Sequence, residues 1–156
     1  MQVRMARVED VPAVVIVERE ISEAPHWTEE EYVAIALENP EGFLRRCFFV
    51  AEGAAGVVGF AVGKVVGAGL EAALESVAVA TEARRSGVGR ALCEAVIGWC
   101  GVEGATAVEL EVRSANVVAI RLYRGMGFVE EGVRRRYYSA PVDDAISMRR
   151  VIGGTK

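Results

Sequence analysis

A single histidine, His26, and three cysteines, Cys47, Cys93 and Cys100, are all that the chain holds of two residue types much used for metal binding and covalent catalysis. An odd number of widely spaced cysteines gives neither a disulfide framework nor a zinc site, and it fits a reducing cytoplasm. No feature of the sequence sets His26 beside a cysteine, so a Cys–His acyl-enzyme has no support. The opening "MQVRMARVEDVPAVV" carries charge where a secretory signal needs a continuous apolar core. There is no linker, repeat or low-complexity tract. G-x-x-x-x-G-K-[ST] is missing, which excludes a P-loop nucleotidase, and without G-x-G-x-x-G a dinucleotide site is unsupported. A net charge of −4 argues against a general polyanion binder. Residues 53–70 form a long, nearly uncharged run, but Lys64 near its centre and its many glycines oppose a membrane helix. Two buried strands separated by turns explain the run better, and neither a membrane nor direct nucleic-acid contact is expected.

With 156 residues, 52% hydrophobic and 26% charged, the chain suits one domain with a sizeable core. Its elements alternate. "QVRMA" reads as a strand. "VEDVPAVVIVEREI" reads as a helix started by Asp10 ahead of Pro12. "TEEEYVAIALEN" is a second helix, with Thr28 as its N-cap, glutamates in its first turn and Pro40 ending it. "CFFVAEG" and "GVVGFAVGKVV" suggest a hairpin, and "EAALESVAVA" a longer strand. Residues 88–100 place Val88, Leu92, Ala95, Val96 and Trp99 on one helical face. "TAVELEV" is another strand, and residues 116–126 another helix. "FVEEGVRRRYY" and "DDAISMRRV" close the chain as strands. The expectation is one mixed α/β domain over residues 1–156.

"VATEARRSGVGRALCEAV", residues 79–96, runs from a strand through a glycine turn into a helix. Free backbone N–H groups and the helix dipole at such a junction attract anions, and glycine lets a phosphate approach closely. Arg84, Arg85 and Arg90 add positive charge. Read alone, Gly87 and Gly89 also suit a plain strand-to-helix connection. The spacing R-x-x-G-x-G, formed by Arg84, Arg85, Ser86, Gly87, Val88 and Gly89, resembles the acetyl-coenzyme A loop of the GNAT acyltransferases. "LEVRSANVVAIRLYRGMGF", residues 110–128, resembles the strand, asparagine, helix and "LY…GF" ending of the RimI branch. "VRRRYYSAPVDDAISMRR", residues 133–150, is similar to that branch's tail. The resemblance spans the chain and is most specific over residues 74–148. It implies the GNAT fold, a twisted, mostly antiparallel sheet of six to seven strands flanked by about four helices. It also implies an acetyl-CoA-dependent N-acetyltransferase that needs no metal.

Roles follow from the resemblance position by position. Glu111 falls on the general base and Tyr123 on the general acid. Val77, Ala78 and Val79 fall on the strand whose backbone meets the acetyl and pantetheine part. Arg84 through Arg90 fall on the pyrophosphate loop, and Asn116 and Tyr123 on coenzyme contacts. The residue types suit direct transfer without a nucleophile on the enzyme. A carboxylate can deprotonate the amine, a tyrosine hydroxyl can protonate the leaving thiolate, and strand N–H groups can polarise the thioester carbonyl. Periodicity alone leaves other roles open. Glu111 alternates with Glu109 as an exposed strand residue would, and Tyr123 suits a core helix face. Glu75 in "LESVAV" is a rival base, placed where other GNAT branches have theirs.

RimI-like enzymes acetylate protein N-termini, a ribosomal protein among them, and the resemblance implies such an acceptor. The α-amino group, with a pKa near 8 against about 10.4 for lysine, needs only modest help from a base. "APHWTEEEY", residues 24–32, is similar to the family's "PWS" helix start, but His26 intrudes between Pro25 and Trp27. Trp27, Tyr137 and Tyr138 would line the peptide groove; cross-strand packing is the other account of the tyrosines. The arginines of "RRRYY" read as a solvated strand or an acidic-ligand patch. A small-amine or lysine acceptor, a non-catalytic acyl-CoA-binding module, and a monomer or a dimer all remain open.

Overall fold

The alternation of the sequence is realised as seven strands and four α-helices in a computed structural model that describes residues 1–21, 27–37, 41–69 and 71–153. The strands are β1 (Gln2–Met5), β2 (Leu44–Gly53), β3 (Gly56–Val66), β4 (Glu71–Val79), β5 (Ala107–Arg113), β6 (Val129–Tyr138) and β7 (Asp143–Val151). The helices are α1 (Val11–Arg19), α2 (Glu29–Ala36), α3 (Val88–Val102) and α4 (Val117–Gly125). Pro40 and His26 lie outside the described residues.

Local chemistry sets the helix starts. Thr28 caps α2 as expected. Its hydroxyl accepts from the Glu31 amide at 3.1 Å while the Glu31 carboxylate accepts from the Thr28 amide at 2.8 Å, a reciprocal capping box. Asp10 precedes α1, but its carboxylate does not cap that helix. Instead it takes the Arg4 guanidinium at 2.8 and 3.0 Å and the Arg7 amide at 2.7 Å, tying a short 3-10 turn to β1.

The sheet order is β1-β2-β3-β4-β5-β7-β6, and every pair is antiparallel except β4 with β5. Residues 53–70 depart from the expectation of two buried strands. They hold one long strand, β3, between the end of β2 and a turn at 67–69. Glycines scattered through a strand do not break it when both flanking strands supply ladder hydrogen bonds. Among the described residues no helix is long and apolar enough to cross a membrane.

Each face of the sheet carries its own core. One face gathers Leu92, Val96, Val108 and Met148 under α3 and α4. The other gathers Val14, Tyr32, Phe48 and Phe60 under α1 and α2. The buried stripe of α3 also includes Cys93, Ile97 and Cys100, while Ala95 and Trp99 sit half-buried at its edge. The cysteines serve as small apolar residues, their thiol pKa values raised by burial. Helix α3 lies close on β3 because Gly59 and Gly63, four apart on that strand, leave room. A Cβ on Gly63 would stand 2.4 Å from Val96 Cγ1, and one on Gly59 3.1 Å from Leu92 Cδ1.

Val96 is fully buried and β-branched, so it has little freedom to yield. Gly63→Ala should therefore destabilise the protein by about 1–3 kcal/mol through overpacking. Gly98→Ala, on the exposed side of α3 with nothing near its added methyl, should be neutral or stabilising by up to about 1 kcal/mol. Urea denaturation of the two variants tests the contrast; equal stabilities would remove the close helix–strand contact from the account.

Candidate active site

The parallel pair is the irregular part of the sheet. Among the described residues β4 and β5 share one register pair, Ala73 with Glu109, although both strands run on beyond it. Past that pair they diverge and leave a wedge. A cavity of about 420 Å³ opens on one side, lined by Trp27, Lys64, Arg134 and Tyr137 among others. A cavity of about 170 Å³ opens on the other, against Asn116, Ala119 and Tyr123. Leu74, Glu75, Leu110, Glu111 and Tyr138 line both, so two carboxylates and a phenol stand where the cavities meet.

A bulge shapes the β4 wall. The β3–β4 register passes from Val62↔Ser76 to Gly63↔Leu74, which leaves Glu75 as the extra residue. The phase of burial reverses there. Ala72 and Leu74 pack into the core under α3, whereas Ala78 and Ala80 pack into the core under α1. The reversal aims Val77 and Val79 toward α3 and α4, and it presents Glu75 to the wedge.

The two carboxylates are held differently. Glu75 pairs with Arg46 of β2 at 2.8 Å, and both side chains are shielded, at 17% and 24% exposure. Glu111 pairs with Arg134 of β6, also at 2.8 Å, but the arginine is 64% exposed against 27% for the glutamate. A hydrogen bond to Glu111, and then its charge, raise the pKa of the Tyr137 phenol. Burial, then the Glu111 charge, raises that of Tyr138, whose ring lies 4.4 Å beneath the Arg113 guanidinium. Tyr123 packs edge-on against Phe128 at 5.9 Å, and burial above all holds its phenol well above the ordinary value. It stays protonated throughout the neutral range.

Both helices that follow the parallel strands begin at the open end of the wedge. Asn116 caps α4 by accepting from the Ala119 amide at 3.2 Å, and it also lines the smaller cavity. The turn before it is gripped by Asp143, which accepts from the Ser114 hydroxyl and the Ala115 amide. Helix α3 has no side-chain cap. Its N-cap is Gly87, at φ +84°, in the left-handed region that favours glycine. Arg85, also left-handed at φ +66°, and Arg84 and Arg90 flank this turn in sequence and are exposed, with the Arg84 guanidinium donating to the Val79 carbonyl at 3.3 Å. A Cβ on Gly89 would meet only ordinary contacts, 3.5 Å from Leu122 and 3.6 Å from Val79.

The site residues named from the sequence thus fall into three groups. Glu75, Glu111 and Tyr123 converge on the wedge, with Val77 and Asn116 beside them. Trp27, Tyr137 and Tyr138 line the larger cavity. Arg84, Arg85, Ser86, Gly87, Gly89 and Arg90 form the loop at the head of α3. Val88 and Ala78 turn their side chains into the two cores, which leaves only their backbones for a ligand. Sequence reasoning missed Arg46, Arg113 and Arg134. For Arg134 the run of three arginines was visible, but not that one of them reaches back to Glu111. Among the described residues no His, Cys, Asp and Glu group could hold a metal ion.

A divergent parallel pair in an otherwise antiparallel sheet, followed by an uncapped glycine turn, is an architecture with known relatives. The profile of the acetyltransferase (GNAT) family matches residues 14–128. Over 80 residues the chain is 42% identical to the ribosomal protein bS18 alanine N-acetyltransferase of Escherichia coli K12, a match covering 50% of this chain and 54% of that enzyme. The chain thus spans about half the length of the curated relatives it matches first. Among solved structures it superposes on Ard1 of Thermoplasma volcanium with a TM-score of 0.83 at 32% identity, covering 98% of both chains. On Naa20 of Chaetomium thermophilum, solved with a bisubstrate analogue, the TM-score is 0.82 at 27% identity, covering 97% of this chain and 87% of that one. A profile running through both wedge strands and the α3 loop, and a fold shared along nearly the whole length, together mean that the chain belongs to the acetyltransferase (GNAT) family, and within it is RimI-like.

Proposed function

We propose that the chain, acting as one acetyltransferase domain over residues 1–156, transfers an acetyl group from acetyl-CoA directly to the α-amine of a protein N-terminus. The observation that carries the reading is the meeting of the two cavities at Glu75, Glu111 and Tyr138, so that two reactants can enter from opposite sides. The names of the relatives support the acceptor class: one acts on the alanine of a ribosomal protein.

The residues present fit the coenzyme. Gly89 is glycine although the protein itself has room for a Cβ, and the first amides of α3 lack a side-chain cap. Three exposed arginines, Arg84, Arg85 and Arg90, lie within the same stretch of chain. Acetyl-CoA supplies the acetyl group as a thioester. The amides of Gly87 to Arg90 hold its pyrophosphate, with Arg84, Arg85 and Arg90 neutralising charge. Backbone N–H groups at the β4 bulge, around Val77, polarise the acetyl carbonyl. Glu111 takes the proton from the acceptor ammonium, so that nitrogen can bond to the acetyl carbon as the carbon–sulfur bond breaks. Tyr123, kept protonated by its burial, gives the proton that the departing sulfur needs, and its phenol is restored by the second proton that the attacking nitrogen sheds as the amide forms. Trp27, Tyr137 and Tyr138 form the walls for the acceptor. Glu75 remains the second candidate base.

The coenzyme loop is tested by Gly89. Gly89→Ala should leave the free protein as stable as wild type or up to about 1 kcal/mol more stable, because it removes a helix glycine. The same change should weaken acetyl-CoA binding at least tenfold by calorimetry, and Gly89→Asp should abolish it. Unchanged affinity in folded Gly89→Asp would move the site elsewhere.

Catalysis is tested by Glu111→Gln and Tyr123→Phe. Each should lower kcat by roughly 10²–10⁴-fold with acetyl-CoA affinity nearly intact. The Glu111→Gln loss should shrink as pH rises through about 8, where an α-amine becomes neutral unaided. Full activity in Glu111→Gln beside an inactive Glu75→Gln would transfer the role to Glu75.

The acceptor is tested with peptides. One beginning with Ala or Ser should react faster than one with a blocked N-terminus and an internal lysine, and mass spectrometry of the product locates the acetyl group. Acetylation at the lysine, or much faster reaction of polyamines and aminoglycosides, would sink the N-terminal reading. Binding of acetyl-CoA without thiol release from any amine would favour a non-catalytic module.

A further inference from the structure

We infer that Arg134 is a placeholder for the acceptor's positive charge: it occupies the Glu111 carboxylate in the free protein and is displaced by the incoming N-terminal ammonium. This rests on the reading of Glu111 as the base. Arg134 belongs to β6, two strands away from Glu111, and it spans the gap because the intervening row is small. Glu111 stands opposite Ser147 of β7, and Ser147 stands opposite Gly132 of β6. Over that row the Arg134 Nε reaches Glu111 Oε2 at 2.8 Å, with its guanidinium 5.6 Å from the Tyr137 ring.

The two ion pairs of the wedge differ where the difference counts. Arg46 comes up from an interior strand and is shielded along with Glu75. It stays where it is. Arg134 comes from the outer edge of the sheet and is mostly in water. Ion pairs of that kind change an equilibrium by no more than about fivefold, so a competing cation removes the arginine easily. Other groups around Glu111 do not take over its pairing. Lys64 lines the same cavity but has no ion partner among the described residues; Glu75 is paired with Arg46, Glu109 and Glu131 stand 3.9 and 4.0 Å from the Arg149 guanidinium, and Glu71 adds a further carboxylate that favours an entering ammonium. Tyr137 and Tyr138 have raised pKa values and so bring no charge that could replace the arginine.

Replacing Arg134 should thus help the acceptor bind, which is the reverse of the result for a residue that grips the peptide. The experiment measures binding, without turnover, of tetra-alanine amide to the protein with unacetylated CoA present. Arg134→Met keeps much of the apolar stem and removes the charge. It should tighten binding by up to about fivefold at pH 7. The gain should vanish above about pH 9, where the peptide amine is neutral, and for the N-acetylated peptide at any pH. Arg134→Lys, which retains a cation, should stay close to wild type. Unchanged or weaker binding in Arg134→Met would overturn the inference. So would a gain that persists with the acetylated peptide or at high pH, because it would come from the new apolar contact. If the free peptide binds no better than the acetylated one in every variant, the N-terminal reading falls as well, whereas a failure confined to Arg134→Met leaves that reading standing.

Discussion

One parallel pairing in an antiparallel sheet is the constraint on which the rest depends. Antiparallel neighbours can be joined by a tight turn, but a parallel neighbour requires a crossover, here α3, packed across the sheet. The crossover leaves β4 and β5 free to separate after Ala73 and Glu109, because no hairpin holds their far ends. A cleft floored by strand ends and flanked by helix starts is where ligands collect in sheets with parallel strands. Gly59 and Gly63 let α3 settle on β3, so the helix that creates the cleft also offers its amino end to it.

The bulge at Glu75 is the second half of that construction. Without it, β4 would keep one burial phase, and residues 76 and 78 would face α3 as residues 72 and 74 do. The extra residue turns the strand over. The wedge side of β4 then carries a carboxylate followed by valines. Tyr123 from α4 and Glu111 from β5 meet this wall from the far side of a gap that neither strand closes.

Elements with local causes were legible in the sequence. The Thr28–Glu31 capping box, the glycine turn ahead of α3 and the Asn116 start of α4 each follow from residues within four positions of one another. Glu75, Glu111 and Tyr123, which the family resemblance singled out, line one cavity in the structure. What escaped depends on separation in sequence. Arg46 and Glu75 are 29 positions apart, and nothing in either neighbourhood marks the other. The bulge is a register event between two strands, invisible in either one alone. Residues 53–70 misled for a related reason: glycine weakens a strand in isolation, but β3 is central, paired on both sides, and its glycines are where a helix needs room.

The charge of the chain takes its meaning from this arrangement. A net −4 argued against a polyanion partner, but it is an average over the whole chain. Locally the charge is divided. Arg84, Arg85 and Arg90 stand at the head of α3, where an uncapped helix end already favours anions. Glu71, Glu75, Glu109, Glu111 and Glu131 line the larger cavity, against Lys64 and Arg134. In the proposed reaction a polyphosphate and an ammonium would thereby be drawn to opposite sides of one wedge. Such sorting needs no tight contact, since steering acts through the field over about a Debye length, roughly 8 Å at physiological salt. The close contacts can then serve the few atoms where the cavities meet.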